Sequence, residues 1–136
     1  MKAHSFFDLT NKTVIVTGGG NGIGRSACET LAAFGANVVV SDLRPEDAEK
    51  VCHGIKAHGG KAIAASCNVT VDEDLKNLVN NALEAFGSID ILVNNAGGGG
   101  AGRENPFKSP WKTLNGSFSL MFSAPGACHN LSLIHI

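Results

Sequence analysis

The stretch Thr17-Gly18-Gly19-Gly20-Asn21-Gly22-Ile23-Gly24 joins an apolar run to an amphipathic one and decides the fold. The apolar run, Val14-Ile15-Val16, is typical of a buried β-strand, and apolar side chains recur at helical spacing after the glycines. A glycine-rich turn from strand to helix lets the backbone approach a pyrophosphate and points free helix N–H groups at it. Glycine suits this turn because it has no Cβ and adopts positive φ angles. The stretch predicts a nucleotide-binding turn; the alternative is a glycine-rich connection with no ligand.

The composition limits the chain to one domain and a narrow set of partners. With 136 residues, a net charge of −1, 11 basic and 12 acidic residues, it offers no electrostatic basis for binding nucleic acid or an anionic membrane. No apolar run reaches the length of a membrane span, and the apolar part of the first seven residues is too short for a secretory signal. We therefore expect a soluble, cytoplasmic protein.

The cysteines show neither disulfide nor metal-ligand spacing. The four are Cys28, Cys52, Cys67 and Cys128. Two of them are followed directly by histidine, but no further ligands lie at zinc spacing. We expect free thiols that pack as small hydrophobic side chains, and no metal site.

The first two-thirds of the chain repeats a strand–helix unit. Strands are predicted over residues 13–17, 37–41, 61–66 and 89–94, and helices over 22–34, 45–58 and 72–86. Such alternation indicates parallel strands with right-handed crossovers, and the apolar strands indicate helices on both faces. The predicted fold is an α/β doubly wound parallel sheet of the Rossmann type, incomplete at about four strands in the order 3-2-1-4.

Each predicted helix has its own boundary signals. Pro45 suits a first helical turn, and Thr70 with Glu73 forms a capping-box pattern before the third helix. A glycine that can adopt the left-handed conformation follows each helix: Gly35, Gly59 and Gly87.

The character of the chain changes after Ala96. Residues 97–102 form a glycine-rich loop, and residues 103–136 contain three prolines with poor helical periodicity, although 118–122 could start a helix. We therefore divide the chain into 1–102, the N-terminal part of a dinucleotide-binding domain, and 103–136, an irregular tail. Under this division the fourth strand is left as a bare, apolar edge.

Asp42 is the candidate for ribose binding. It ends the second predicted strand, 18 positions after Gly24, close to the separation of roughly 20 residues at which dinucleotide folds place an acid. A carboxylate there accepts hydrogen bonds from ribose hydroxyls and repels a 2′-phosphate, which favours NAD over NADP. Arg44 keeps NADP as an alternative, since its guanidinium could bind that phosphate. The other alternative is that Asp42 only starts the turn before the second helix.

Together these motifs resemble the short-chain dehydrogenase/reductase family over residues 9–100. The resemblance rests on Thr17-Gly18-x-x-x-Gly22-x-Gly24, Asp42, Asn68-Val69 and Asn94-Asn95-Ala96-Gly97. It implies that Ile23 lies on the nicotinamide side and that Asn68 and Val69 hold the adenine, where the family usually has Asp at the first position. For Asn94, bracing of adjacent strands and lining of the cleft stay open. The cofactor-binding residues implied are Gly18, Asn21, Gly22, Ile23, Gly24, Asp42, Leu43, Asn68, Val69, Asn94, Asn95, Ala96 and Gly97.

Within the family, residues 36–42 and 90–100 are similar to bacterial 7α-hydroxysteroid dehydrogenases. This resemblance implies an NAD-dependent oxidoreductase that transfers a hydride between a secondary alcohol or ketone and the coenzyme. Its partner would be a small-molecule alcohol or ketone, and the parent protein would be a homotetramer. The alternatives are a 3-oxoacyl-carrier-protein reductase type and a non-catalytic NAD-binding module.

The catalytic residues that the family implies are absent from this sequence. The family uses a Tyr-x-x-x-Lys pair with a serine, and the chain contains no tyrosine. Without a positioned proton donor, hydride transfer loses about 10²–10⁴-fold, so we expect the chain as written to be inactive and identify no catalytic residue.

We interpret this absence as truncation rather than evolved inactivity. The last six residues, Leu131-Ser132-Leu133-Ile134-His135-Ile136, match the translation of a transposon-end adapter used in sequencing libraries. The tail is therefore expected to be truncated or adapter-derived. Codons other than CTG-TCT-CTT-ATA-CAC-ATC at these positions would contradict the adapter interpretation.

Overall fold

Alternating strands and helices build the part of the chain that precedes the glycine-rich loop. The structure is a computed structural model that describes residues 7–96, 119–122 and 134–135. The elements, in chain order, are β1 (Thr13–Thr17), α1 (Gly22–Ala33), β2 (Asn37–Asp42), α2 (Pro45–Ala57), β3 (Lys61–Ser66), α3 (Asp72–Phe86), β4 (Ile91–Asn94), β5 (Ser119–Phe122) and β6 (Ile134–His135).

The sheet has the order β3-β2-β1-β4-β5-β6, and its first four strands are parallel. Val14 of β1 lies beside Val38 of β2 and Ile91 of β4, so β1 is interior. The predicted order 3-2-1-4 and the doubly wound α/β class are confirmed. The strand bounds differ from the prediction by at most two residues: β2 includes Asp42, and β4 begins at Ile91.

Side chains that alternate along the strands fill two separate cores. On one face, Val14, Val38 and their neighbours pack with Cys28 of α1 and Val51 of α2. On the other face, Ile15 and Val39 pack with Leu78 of α3. Because both faces are covered, every residue of β1 is buried, which explains why its three central residues, Val14 to Val16, are all apolar.

The glycine and proline signals at the helix ends are confirmed. Helix α2 begins at Pro45. Gly35, Gly59 and Gly87 have φ angles of 93°, 81° and 79°, in the left-handed region that favours glycine. Helices α1 and α2 each end one residue before the predicted boundary.

The predicted capping box at α3 is wrong. The N-cap residue is Val71, and its side chain makes no capping hydrogen bond. Thr70 lies one residue too early, and its hydroxyl donates to Asn68 Oδ1 at 2.7 Å. The hydroxyl is therefore engaged in a turn before the helix, and this local hydrogen bond replaces one that would cap the helix.

The expectation of a bare edge at β4 is also wrong. Strand β5 pairs antiparallel with β4, and β6 pairs antiparallel with β5. The possible helix at 118–122 is instead the strand Ser119–Phe122, because a short apolar run can form either element and the unpaired backbone of β4 offers hydrogen bonds. The other residues of 97–136 lie outside the described residues, so the domain division at 102 stays a prediction.

Cys28, Cys52 and Cys67 are buried free thiols, and Cys128 lies outside the described residues. In the described ranges, no three His, Cys, Asp or Glu side chains are placed to hold a metal ion. None of the helices α1 to α3 has the length and apolar character needed to cross a membrane.

Candidate functional site

A cleft of about 710 Å³ opens at the carboxyl ends of β1 to β4. The turns after these four strands meet there because parallel strands all end at the same side of the sheet. The residues that line it are Gly18, Asn21, Gly22, Asp42, Leu43, Cys67, Asn68, Val69, Thr70, Asn95 and Ala96.

Glycine is required at two places in the turn between β1 and α1. Gly18 has a φ angle of 63°, and a Cβ there would lie 3.0 Å from Ala96 Cα. A Cβ on Gly24 would overlap the carbonyl oxygen of Gly18. The turn therefore folds back tightly on itself and keeps the cleft floor free of side chains, as a close approach of backbone to a ligand requires.

The N-terminus of α1 is the start of a helix with no acidic residue in its first turn. By contrast, α2 has Glu46 and Asp47 in its first turn, and α3 has three acidic residues there. Asn21 caps α1 by accepting a hydrogen bond from Gly22 N at 2.8 Å. The amides of the first turn and the positive end of the helix dipole thus face no carboxylate of their own helix, which fits an anionic ligand.

Two side chains tie the glycine turn to the end of β4. The Thr17 hydroxyl donates to Val93 O at 3.3 Å and accepts from the backbone N–H groups of Asn95 and Ala96, both at 3.1 Å. Asn95 Nδ2 donates to Gly18 O at 3.1 Å. Both walls of this half of the cleft are therefore fixed to each other by side chains with few rotatable bonds.

Asp42 holds the other side of the glycine turn. Its Oδ2 accepts from Gly20 N at 2.9 Å, and its Oδ1 accepts from Arg44 N at 3.0 Å. Each carboxylate oxygen retains a further lone pair, so the side chain can still accept from a ligand hydroxyl. Arg44 is an exposed side chain that faces Asp47, with 3.7 Å between Nη1 and Oδ2, and it does not line the cleft.

The far end of the cleft lies beyond β3. Asn68 N donates to Asp74 Oδ2 at 2.9 Å, and Asn68 Oδ1 accepts from Thr70 N at 3.0 Å. Leu43 is 66% exposed and lines the same end, so it offers an apolar surface to a ligand. Cys67 also lines the cleft, and burial raises the pKa of its thiol.

The structure brings nine of the thirteen predicted residues together around the cleft. Of the others, Gly24 is buried under the turn, Ile23 is 73% exposed at the start of α1, and Asn94 is in β4 without lining the cleft. Gly97 lies outside the described residues. Sequence reasoning missed Cys67 and Thr70, although both flank Asn68 and Val69 at a strand end, where the topology alone predicts a ligand crevice.

The observed features fit one kind of cofactor. The glycine turn leaves space that a Cβ would fill, the α1 N-terminus has no acidic residue to repel a phosphate, and the Asp42 carboxylate one strand away has free lone pairs for ligand hydroxyls. A dinucleotide has these groups in this order. The amides of the turn and of α1 would hold the diphosphate, and Asp42 would hold a ribose.

Comparison with known proteins identifies relatives for most of the chain. The profile of the family described as short chain dehydrogenase matches residues 12–122. The 7alpha-hydroxysteroid dehydrogenase of Escherichia coli (strain K12) is 41% identical over 112 residues, which are 82% of this chain and 43% of that protein. The 2,5-dichloro-2,5-cyclohexadiene-1,4-diol dehydrogenase of Sphingobium indicum is 51% identical over 89 residues, which are 65% of this chain and 34% of that protein.

A solved structure supports the same relationship. The 7 alpha-hydroxysteroid dehydrogenase complexed with NADH and 7-oxo glycochenodeoxycholic acid superimposes with a TM-score of 0.70 and 41% sequence identity, and the match covers 82% of this chain and 42% of that one. The chain thus spans about two fifths of the length of these relatives. With the family profile, the sequence identity and the shared fold in agreement, the chain belongs to the short-chain dehydrogenase family.

Proposed function

We propose that this chain forms the coenzyme-binding half of an NAD-dependent oxidoreductase that acts on a secondary alcohol or ketone of the hydroxysteroid class. The observation that carries the proposal is the cleft itself, in which a glycine turn, a helix N-terminus without acid and a strand-end carboxylate follow one another. When bound, the nicotinamide coenzyme accepts the hydride of the alcohol carbon. The described residues bind and orient: main-chain amides hold the diphosphate, and Asp42 holds the adenosine ribose.

The names of the relatives support the substrate class. One is a dehydrogenase of a hydroxysteroid and another of a cyclohexadiene diol, so both act on a hydroxyl group carried by a ring. The cytoplasmic location and the homotetramer implied by the family resemblance belong to the same proposal, and the buried free thiols support a reducing compartment.

The preference for NAD over NADP is supported by the position of Asp42. A 2′-phosphate on the ribose would meet the carboxylate that already accepts from Gly20 N. Arg44, the residue that could compensate, is directed at Asp47 and lies outside the cleft. Two negative charges in contact repel each other, so NADP should bind more weakly.

Calorimetry with both coenzymes tests the proposal. NAD should bind with a micromolar Kd, and NADP at least about tenfold more weakly. Asp42→Ala should raise the Kd for NAD at least about tenfold, because it removes charge-assisted hydrogen bonds worth about 1.5–3 kcal/mol each. Asp42→Asn keeps an acceptor for Gly20 N, so its Kd for NAD should lie between those of the unsubstituted chain and Asp42→Ala.

Glu46→Ala is the matched control. It removes one negative charge from the nearby start of α2 but from a side chain that does not line the cleft, so the Kd for NAD should not change. No heat with either coenzyme would refute the proposal. An equal Kd for NAD in the unsubstituted chain and in Asp42→Ala would refute the ribose assignment alone.

A second candidate is a coenzyme-binding module without catalysis. The absence of tyrosine from the 136 residues favours it, because the family's proton donor is then missing. It predicts that the 136-residue chain folds stably by itself and binds NAD, as followed by circular dichroism and calorimetry. An insoluble or molten product would exclude it.

A further inference from the structure

Asn21 and Gly22 form an Asn-Gly pair at the start of α1. Among the asparagines of residues 7–96, Asn21 alone precedes a glycine. The main-chain nitrogen that follows an asparagine can attack the side-chain carbonyl carbon Cγ and close a succinimide ring. A side chain on the following residue hinders this attack, and glycine has none. In this part of the chain, Asn21 is therefore the asparagine whose amide is most open to this reaction.

The structure holds the two reacting groups of this pair close together. Gly22 N lies 2.8 Å from Asn21 Oδ1, so it lies within about 4 Å of Cγ, the carbon bonded to that oxygen. Gly22 is the first residue of α1, and the first amides of a helix have no acceptor within the helix. The hydrogen bonds that hold main-chain amides in a helix interior therefore do not hold this nitrogen.

The surroundings of the pair leave room for ring closure. Asn21 and Gly22 are both exposed, and a Cβ on Gly22 would meet no atom of the described residues within 4 Å. Within residues 7–96, Nδ2 of Asn21 makes no hydrogen bond, so its departure breaks no contact there. The pair can thus rotate into the ring and release ammonia to water.

We propose that Asn21 is a site of spontaneous deamidation. Gly22 N forms a bond to Asn21 Cγ, the Cγ–Nδ2 bond breaks, and the Gly22 amide proton leaves with Nδ2 as ammonia. Water then opens the ring. Cleavage of the N–Cγ bond gives aspartate, whereas cleavage of the bond from N to the main-chain carbonyl carbon gives isoaspartate, in which the main chain runs through Cγ. The only co-reactant is water, and neither step is a redox step.

Both products change the wall of the cleft that Asn21 lines. Each adds a carboxylate at the N-terminus of α1, whose first turn has no acidic residue. Isoaspartate also lengthens the main chain by one methylene, in a turn where even a Cβ on Gly18 or Gly24 would meet other main-chain atoms. Modified chains should therefore bind the coenzyme more weakly, a consequence that rests on the proposed function.

Peptide mapping tests the modification itself. Trypsin cleaves after Lys12 and Arg25 and releases residues 13–25, whose one side-chain amide is that of Asn21. Mapping also separates this site from Asn115-Gly116, the other Asn-Gly pair in the sequence. The unsubstituted chain, its fold checked by circular dichroism, and a synthetic peptide of residues 13–25 are incubated in parallel in mildly alkaline buffer.

We expect the amide of Asn21 in the folded chain to become a carboxylic acid at a rate within a few-fold of that in the synthetic peptide. The mass difference between the two groups measures the conversion. An intact amide in the folded chain, when most of the synthetic peptide has reacted, overturns the inference.

Calorimetry with NAD tests the consequence for binding. The number of NAD sites per chain should fall in proportion to the fraction of Asn21 converted. Asn21→Ser is the matched variant, because serine also caps helices but has no amide to lose. Whatever its initial Kd, this variant should keep its number of sites over the same incubation. Equal losses of sites in both proteins overturn the link between Asn21 and binding.

The coenzyme should slow the reaction, because Asn21 and Gly22 line the cleft that it would fill. If only the free chain reacts, NAD at about ten times its Kd lowers the rate about tenfold. An unchanged rate in chains that bind NAD overturns this coupling.

The outcomes separate this inference from the proposed function. A chain that loses the Asn21 amide but never binds NAD refutes the proposed function and supports the modification site. A chain that binds NAD and keeps the amide overturns the inference and leaves the proposed function intact.

Discussion

Thr17 fixes the shape of the cleft where β1 meets the end of β4. Its hydroxyl has one hydrogen to donate and two lone pairs, and all three are used: Val93 O accepts, while the N–H groups of Asn95 and Ala96 donate. Thr17 is 4% exposed, so water cannot replace these partners. One hydroxyl thus satisfies three backbone groups at the junction of two strands.

Thr13, in the same strand, is the natural comparison. It is fully buried as well, but within the described part of the chain its hydroxyl has no hydrogen-bond partner. Thr17→Val should lower the free energy of unfolding by about 2 kcal/mol, since it leaves the backbone groups unpaired. Thr13→Val should leave it unchanged or raise it, because a buried polar group is replaced by a methyl group.

Urea unfolding of the two variants, followed by circular dichroism, measures both effects. The variants have nearly identical shapes and sit at the two ends of one strand, so differences in β propensity cancel. Equal losses of stability in both would contradict the role given to the Thr17 hydroxyl.

At the scale of elements, the start of α3 is held by Asp74 rather than by the residues of the capping-box pattern. Asp74 Oδ2 accepts from Asn68 N at 2.9 Å, which connects the first turn of the helix to the end of β3. Glu73 belongs to the same first turn, but its carboxylate makes no hydrogen bond within residues 7–96. The helix therefore depends on an acid one position later than the pattern predicts.

Alanine substitutions at these two positions distinguish the roles. Each removes one negative charge from the helix N-terminus, worth about 0.3–1 kcal/mol. Only Asp74→Ala also leaves Asn68 N without its acceptor, so it should destabilise the protein by about 1–2 kcal/mol more than Glu73→Ala. Thermal unfolding measures the difference, and equal effects would contradict the prediction.

Other helix boundaries were predictable because a single residue type decides them. Gly35, Gly59 and Gly87 adopt positive φ angles that other residues avoid, so their positions mark the helix ends in the sequence itself. The start of α3 was not predictable in this way. The Thr70 hydroxyl can either cap the helix or donate to Asn68. Both partners are close to it in the sequence, so the sequence does not decide between them.

At the scale of the whole molecule, the parallel sheet was predictable from sequence, since buried strands and amphipathic helices differ in period and alternate along the chain. Spacing after the glycine turn predicted the place of Asp42, the family resemblance that of Asn68, and the resemblance together with the strand-end rule that of Asn95. Hydrogen bonds between distant segments were not predictable: the contact of Asp42 with Gly20 and that of Asn95 with Gly18 join residues 22 and 77 positions apart. The pairing of β5 with β4 was missed for the same reason.

The buried thiols of the core also make the free energy of unfolding depend on pH in the alkaline range. Burial raises the pKa of the Cys28 thiol from its ordinary value of 9.0 to about 12, and that of Cys52 to about 11. The unfolded chain thus loses these protons at lower pH than the folded one. The contribution of each buried thiol to the free energy of unfolding is fully present below about pH 9. It is lost as the pH rises towards the pKa of that thiol in the folded state.

Urea unfolding at about pH 8 and about pH 10.5 tests this prediction. The free energy of unfolding of the parent chain should fall over this interval, and Cys28→Ala should reduce the fall by about 1–2 kcal/mol, because the variant has no thiol to ionise at that position. The variant is less stable at both pH values, so only the difference between them is informative. An identical fall in both proteins would contradict the buried, neutral thiol.

The tie between the glycine turn and the end of β4 governs when a ligand can act during folding. Its hydrogen bonds span 76 to 79 positions of the chain, so they form only after a long loop has closed. Folding intermediates in which β1 and β4 are not yet paired lack the cleft. A coenzyme would therefore bind only after the sheet has formed. It would raise the free energy of unfolding without accelerating the early steps of folding.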